Sequence, residues 1–535
     1  MQKTLENKYF QLVVLLFLIV LLFINNGNVS YWDQDEAAYA GFALKMIETK
    51  NWLIPDFYWA EIHRKTPLHF WNIIVSYKIF GVNEFAVRFS SALSVALVYL
   101  IVYFFTRKLT QNRQVGFYAL LVLATSLYIP VLAKVAVTDA TLLLLSTLCA
   151  IALYFILETK AFKWTLLFWT SFALALLTKG PPIIIFTTIL VILLAVLSPN
   201  RKNLIRLHPW FFLPIAFFPL GYWVYLCIQS DGGAFINWLV DWYILKRVNG
   251  SVLGQTGPPG THFLLILVVF LPYFMFLPKS FQNGYKGLIK RDPIDLFLAA
   301  WFIAGWFFYE FSPSKLPAYV VVAHVPLAIL IGRTIANFEL EKPKRFWFML
   351  QFILTSSIYL GLIVVGFFIV LPKQLQLYAT LLGGVLLVLN CLTFFVFNQS
   401  KFIKSLFSIN LFFQFFIWTF LIVPVEDLKN APKKIATYID KNAKPNSEIC
   451  IANDFGHPPS LPFYLYLHFK TITFEKDTLK LWQDYKDTKV NKVFILDKNQ
   501  KDYFLKKENN LHFTSFEAFF TDRKECSNYY VLFNY

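Results

Sequence analysis

From Gln11 to Phe420 the chain repeats one pattern: apolar runs of about twenty residues, nearly free of charge, separated by polar loops. That is the length an α-helix needs to cross about 30 Å of hydrocarbon, and only helices satisfy their own backbone there. The runs predict about thirteen spans: 10–25, 85–106, 115–133, 140–157, 163–178, 182–198, 209–228, 262–278, 294–310, 317–335, 347–371, 376–397 and 405–424. From residue 425 the pattern changes. Lys, Asp and Asn replace the apolar runs, and short β-like stretches ("EICIAN", "KVFILD", "YYVLFNY") interleave with helix-like ones ("APKKIATYIDKN", "PPSLPFYLYLHF"). The predicted fold class is a polytopic α-helical membrane protein. Residues 1–424 form the membrane part, with long outer loops at 26–84 and 229–261, and residues 425–535 form a small external α/β domain.

Charge sets the orientation. With the N-terminus inside, the loops "RKLTQNR", "ETKAFK", "NRKNLIRLH", "KSFQNGYKGLIKRD", "ELEKPKR" and "NQSKFIK" fall on the cytoplasmic side. Together with the N-terminal tail they hold about twenty Lys and Arg, against about eleven on the longer opposite face, as the positive-inside rule requires. An odd number of spans then places 425–535 outside. The first run, Gln11 to Ile24, lacks a small-residue cleavage site and reads as a retained span. Two outer stretches, "LHFWNIIVSYKIF" and "AFINWLVDWYIL", are too short to span and rich in Trp and Tyr, which suits the headgroup layer.

Composition agrees: 57% of the residues are hydrophobic and 15% charged. The net charge of +17 lies in loops between spans, with no separate basic domain and no glycine-rich phosphate loop, so nucleic acid is not an expected partner. Five cysteines show no metal-ligand spacing; only Cys450 and Cys526 share a polar region where one disulfide could form.

The candidate chemistry lies on the outer face. "YWDQDEAAYAGF" gathers Asp33, Asp35 and Glu36 just after the first span. Asp33 and Glu36 have the spacing of a helix N-cap box. Capping leaves Asp35 over, one helical turn from Tyr39. Cations on the same face sit in proline-marked motifs: "HRKTP" (His63, Arg64, Lys65), "TKGPP" (Lys179) and "SPSKLPAY" (Lys315, with Tyr319). Asp139 opens the fourth span from that side. A lone lysine at a span end reads as snorkelling. Recurrence across four loops predicts instead a site for a phosphate and a proton acceptor. Activated nucleotides are not available outside the membrane, so the phosphate ester expected is a polyprenyl-phosphate sugar. Cations would stabilise the departing phosphate, and a carboxylate on the opposite side of the sugar would activate the acceptor, an inverting single displacement.

The stretch "DEAAYAGFALKMIETKNWLIPDFYWAEIHRKTPLHFWNIIVSYKIFGVNEFAVRFSSAL", with "LLTKGPP" and "SKLPAYVVVAHVPLAILIG", resembles the bacterial GT-C glycosyltransferases. That group holds the lipid A aminoarabinose transferase and the protein O-mannosyltransferases. The resemblance covers residues from about 30 to 335, with the motifs in the family's order. It implies Asp35 as catalytic carboxylate, with Glu36 beside it and Asp139 in the same cavity. It implies that Lys65 binds the lipid phosphate, with Arg64, Lys179, Lys315, Tyr39 and Tyr319 as further donor-phosphate contacts. Two departures stand out: Ala38 replaces an arginine of the family's D-E-x-R-Y, and its E-K-P-P reads Arg64-Lys65-Thr66-Pro67. The second restores a cation and removes a glutamate resembling a metal ligand in some relatives. His63, His262 and Glu61 are the candidate substitute ligands for a divalent metal, although a lone histidine at a span end is more often structural; no obligatory cofactor is expected. The implied partners are a polyprenyl-phosphate sugar donor, a lipid, glycan or protein acceptor, and membrane lipids. The implied location is the bacterial inner membrane, multi-pass, with the C-terminal domain periplasmic. A lipid-linked oligosaccharide polymerase or ligase is the alternative. A secondary transporter fits less well, because the spans are almost free of ionisable groups at mid-membrane.

Overall fold

The structure is a computed structural model that describes residues 7–32, 35–246, 256–338, 344–368, 373–397, 401–427, 431–452, 455, 458–518 and 527–535. Seven helices among them are long and apolar enough to cross a membrane: Glu84–Thr110, Thr138–Glu158, Pro209–Asp231, Pro317–Ala336, Arg345–Val364, Lys373–Val396 and Phe402–Val425. Other predicted spans fall on shorter apolar helices, Lys8–Phe23, Arg113–Ala124 and Pro181–Leu197. The span expected at 262–278 is not one rod: Thr261–Val269 and Leu271–Lys290 meet at 96°. Pro272 brings no amide hydrogen to the helix, and Tyr273 sits outside the helical region at φ −125°.

By contact the chain forms two compact units. The first comprises Met1–Asn26, Lys65–Ser76 and Arg88–Leu421, and one continuous apolar core runs through it. Local signals decide where its helices end. The side chain of Asn112 accepts the amides of Gln114 and Val115 and so starts Arg113–Ala124. The helix Lys163–Lys179 stops at Gly180, whose φ of +67° suits only glycine, and Pro181 opens the next helix. Lys179 is thereby held at a helix end. The first helix, Lys8–Phe23, is closed by a side chain from far along the chain: Lys134 Nζ donates to the carbonyls of Leu21 (2.8 Å), Leu22 (3.0 Å) and Ile24 (2.8 Å). This buried ammonium satisfies the orphan carbonyls that every helix leaves at its C-terminus.

The second unit comprises Gly27–Arg64, Tyr77–Val87 and Ile422–Tyr535. Its sheet has five strands, β1 (Glu448–Ile451), β2 (Ile472–Phe474), β3 (Lys492–Leu496), β4 (Thr514–Ala518) and β5 (Ser527–Phe533), in the order β2-β1-β3-β5-β4. β1 runs parallel to β2 and β3; β5 is antiparallel to β3 and β4. Phe494, Leu496 and Leu532 pack with Leu481 and Phe504 of the helices Thr478–Lys486 and Lys498–Lys507 into a small core. The helix Asp35–Thr49 belongs to this unit. Tyr464 Oη accepts the amide of Tyr31 at 2.9 Å, and Tyr466 Oη donates to Glu48 Oε2 at 2.5 Å. The proposed pairing of Cys450 with Cys526 involves a residue outside those described.

Candidate functional site

In the second unit the helix Asp35–Thr49 begins with both acids in its first turn. Asp33 lies outside the described residues, so its part in the cap is not placed. Glu36 turns back: fully buried, its Oε2 accepts the amide of Trp32 at 2.8 Å, four residues earlier, one residue beyond the position a capping box would use. Asp35, one residue earlier, is set differently. Its side chain is 47% exposed, and its Oδ1 accepts from Tyr39 Oη at 2.9 Å and lies 3.0 Å from His63 Nδ1. Tyr39 meets it because i and i+4 share a helix face. His63 comes from the short turn Glu61–His63, and the next residue, Arg64, pairs with Asp56 at 2.6 Å. Ala38, where a cation was expected, is buried.

In the first unit a narrow cleft, with about 340 Å³ of atom-free space including its open mouth, is lined by Asp139, Lys179, Tyr309 and Tyr319, with Gly305 in its wall. Asp139 lies in the first turn of Thr138–Glu158 and Lys179 in the last turn of Lys163–Lys179, each at the helix end that favours its charge. Lys179 Nζ stands 2.6 Å from Asp139 Oδ1 and over the Tyr319 ring, 5.8 Å from its centre. The Tyr309 and Tyr319 rings are 5.4 Å apart. Gly305 makes the wall thin: a Cβ there would stand 2.7 Å from the amide nitrogen of Ala323.

Lys315 does not line this cleft. Its buried ammonium donates to the carbonyls of Tyr309 (3.1 Å) and Glu310 (2.7 Å), closing the end of the helix Pro293–Glu310. Burial draws this ammonium below the ordinary lysine value, against the opposing influence of Glu310. Glu310, which sequence reasoning passed over, accepts from Trp306 Nε1 (2.6 Å) and from the amides of Gly260 (2.7 Å) and Phe263 (2.5 Å). Tyr309 was missed as well. The available signal was an acid and a phenol closing the apolar run "GWFFYE". His262 Nε2 lies 3.2 Å from the Leu316 carbonyl. Lys65, half-buried, belongs to the first unit. Among the described residues no three His, Cys, Asp or Glu side chains gather in a way that would hold a metal ion.

Sequence and fold comparisons agree with the resemblance to the GT-C glycosyltransferases. Residues 64–223 match the family described as dolichyl-phosphate-mannose-protein mannosyltransferase. The chain is 28% identical over 339 residues to the undecaprenyl phosphate-alpha-4-amino-4-deoxy-L-arabinose arabinosyl transferase 2 of Proteus mirabilis, covering 60% of this chain and 58% of that one. It is 22% identical to the corresponding transferase of Wigglesworthia glossinidia brevipalpis, over 77% of this chain and 70% of the relative. The fold is shared with ArnT from Cupriavidus metallidurans, solved with undecaprenyl phosphate bound: TM-score 0.76, 18% identity, 98% of both chains covered.

Proposed function

We propose that this chain is an integral membrane glycosyltransferase that moves a sugar from a polyprenyl-phosphate donor to an acceptor at the outer face of the membrane, by inverting single displacement. The C1–O bond to the donor phosphate breaks, and its electron pair leaves with the polyprenyl phosphate. The acceptor oxygen bonds to C1 from the opposite side, and its proton passes to the Asp35 carboxylate. Lys65, Arg64 and Lys179 supply positive charge to the departing phosphate. Asp139 holds Lys179 in place, and Lys315 fixes the helix end that carries Tyr309. The arabinosyl transferases similar to this chain make undecaprenyl phosphate-linked aminoarabinose the first donor to try and lipid A the first acceptor. Thirteen spans and a periplasmic residue 425–535 domain in the bacterial inner membrane complete the reading.

The observation that carries it is the Asp35 carboxylate, half exposed yet anchored through one oxygen by a phenol and an imidazole. Its neighbour Glu36, fully buried, accepts a backbone amide instead. The test incubates purified protein with labelled undecaprenyl-phosphate sugars and lipid A. Asp35→Asn and Lys65→Ala are expected to abolish transfer, while Lys290→Ala, at the far end of the helix Leu277–Lys290, leaves it unchanged. Full-rate transfer by Asp35→Asn would overturn the assignment.

A further inference from the structure

The turn at residues 56–64 is built to carry His63 to Asp35. Gly41, on the helix Asp35–Thr49, has no side chain, and the Phe57 ring occupies the space: a Cβ at Gly41 would fall 2.4 Å from that ring. Phe57 is buried and packs against Tyr58, Phe463 and Tyr466. From this anchor the backbone tightens, the amide of Ala60 bonding the Phe57 carbonyl at 3.3 Å and that of His63 the Ala60 carbonyl at 2.9 Å. The Arg64–Asp56 ion pair closes the turn across its ends. His63 is left 94% buried, with Nδ1 against Asp35 Oδ1. An ionised carboxylate only accepts, so the imidazole carries its proton on Nδ1 and donates.

We propose that His63 is the positioning residue of the transfer reaction: together with Tyr39 it holds Asp35 Oδ1 and so sets the plane in which the carboxylate meets the acceptor's hydroxyl proton. This rests on Asp35 being the proton acceptor, as proposed above. Two donors on one oxygen stop the carboxylate from rotating, and a proton acceptor works only when aimed within a few tenths of an ångström. His63 takes no part in bond making. Its contribution is therefore to kcat and not to donor binding.

The test uses the full-length protein with a panel of undecaprenyl-phosphate-linked pentoses and hexoses and with lipid A or water as acceptor. His63→Leu and His63→Asn have nearly the same shape, but only asparagine offers an N–H near the Nδ1 position. The leucine variant is expected to lose about ten-fold or more in kcat with the donor KM within about two-fold of the original. The asparagine variant should recover most of that loss. Gly41→Ala keeps every polar group yet displaces Phe57 and the turn, and it should reproduce the kcat loss if the leucine variant does not fold. Equal rates for leucine and the original residue, or equal impairment by leucine and asparagine, overturn the positioning role. In that case an inactive Asp35→Asn would leave the catalytic reading standing. Undiminished transfer by Asp35→Asn, or no turnover of any donor by the unaltered chain, would sink that reading and this inference with it.

Discussion

Asp35 and Glu36 are adjacent acids in one helical turn, and their surroundings give them different work. Glu36 accepts the Trp32 amide from a fully buried position; Asp35 faces a phenol and an imidazole with nearly half its side chain exposed. Replacing Glu36 by Ala leaves the Trp32 amide without this acceptor, and the loss expected is about 1 kcal/mol of stability. Asp35→Asn should leave the melting temperature in detergent within about a degree and remove transfer. A matched pair of thermal melts and transfer assays separates the two roles. The largely buried Asp139–Lys179 pair makes a second prediction. Lys179→Met strands a carboxylate in the cleft, and Asp139→Asn strands an ammonium; each single change should cost more than the double change does. A double-mutant cycle in melting temperature would show this coupling, and strict additivity would refute it. The charges themselves were legible in the sequence, because ionisable groups beside apolar spans are conspicuous. Their directions were not. Lys315 offers an unattached cation in the string of letters, yet in the fold its ammonium closes a helix.

At the scale of elements, the long apolar helices were readable because hydrocarbon leaves the backbone no other way to satisfy itself. The kink at Pro272 was also written in the chain, but the apolar run from Phe263 to Leu277 masked it. Three-residue β2 and the flanking helices Thr478–Lys486 and Lys498–Lys507 carry too little periodicity to stand out. What joins the elements is still less visible. Gly305 lets two helices touch, and Gly305→Val should cost about 1–3 kcal/mol by overpacking against Ala323. In the second unit Glu48 of the helix Asp35–Thr49 receives Tyr466 and, at 2.9 Å, Lys470. Burial alone raises the Glu48 carboxyl, but these hydrogen bonds outweigh it and hold it below its ordinary 4.5. The folded form therefore binds a proton less readily than the unfolded chain. The stabilisation is complete above the ordinary value and is lost as pH falls through the depressed one. Glu48→Gln should accordingly melt lower than the original at neutral pH, and the gap should narrow on acidification below about pH 5. A gap that stays constant with pH would contradict this.

For the whole molecule, topology decides whether the proposed chemistry can occur at all, since a lipid-linked sugar awaiting transfer is presented on one side of the bilayer only. The bias of Lys and Arg toward alternate loops predicts a cytoplasmic N-terminus, because translocating a short basic loop is unfavourable while long loops cross regardless. That bias and an odd span count together commit residues 425–535 to the outside; an even count with the same bias would bring them in. The two predictions are thus tied, and one experiment reads both. In a chain whose five cysteines are replaced, Lys506→Cys on the helix Lys498–Lys507 should react with a membrane-impermeant maleimide added to spheroplasts. Lys401→Cys, the exposed residue just before the helix Phe402–Phe416, should react only after the membrane is opened. The reverse pattern would place the tail in the cytoplasm, where nucleotide-activated sugars abound and no reason for a lipid-linked donor remains. Labelling of both sites before opening would break the inside assignment of the segment that precedes Phe402 and with it the odd span count.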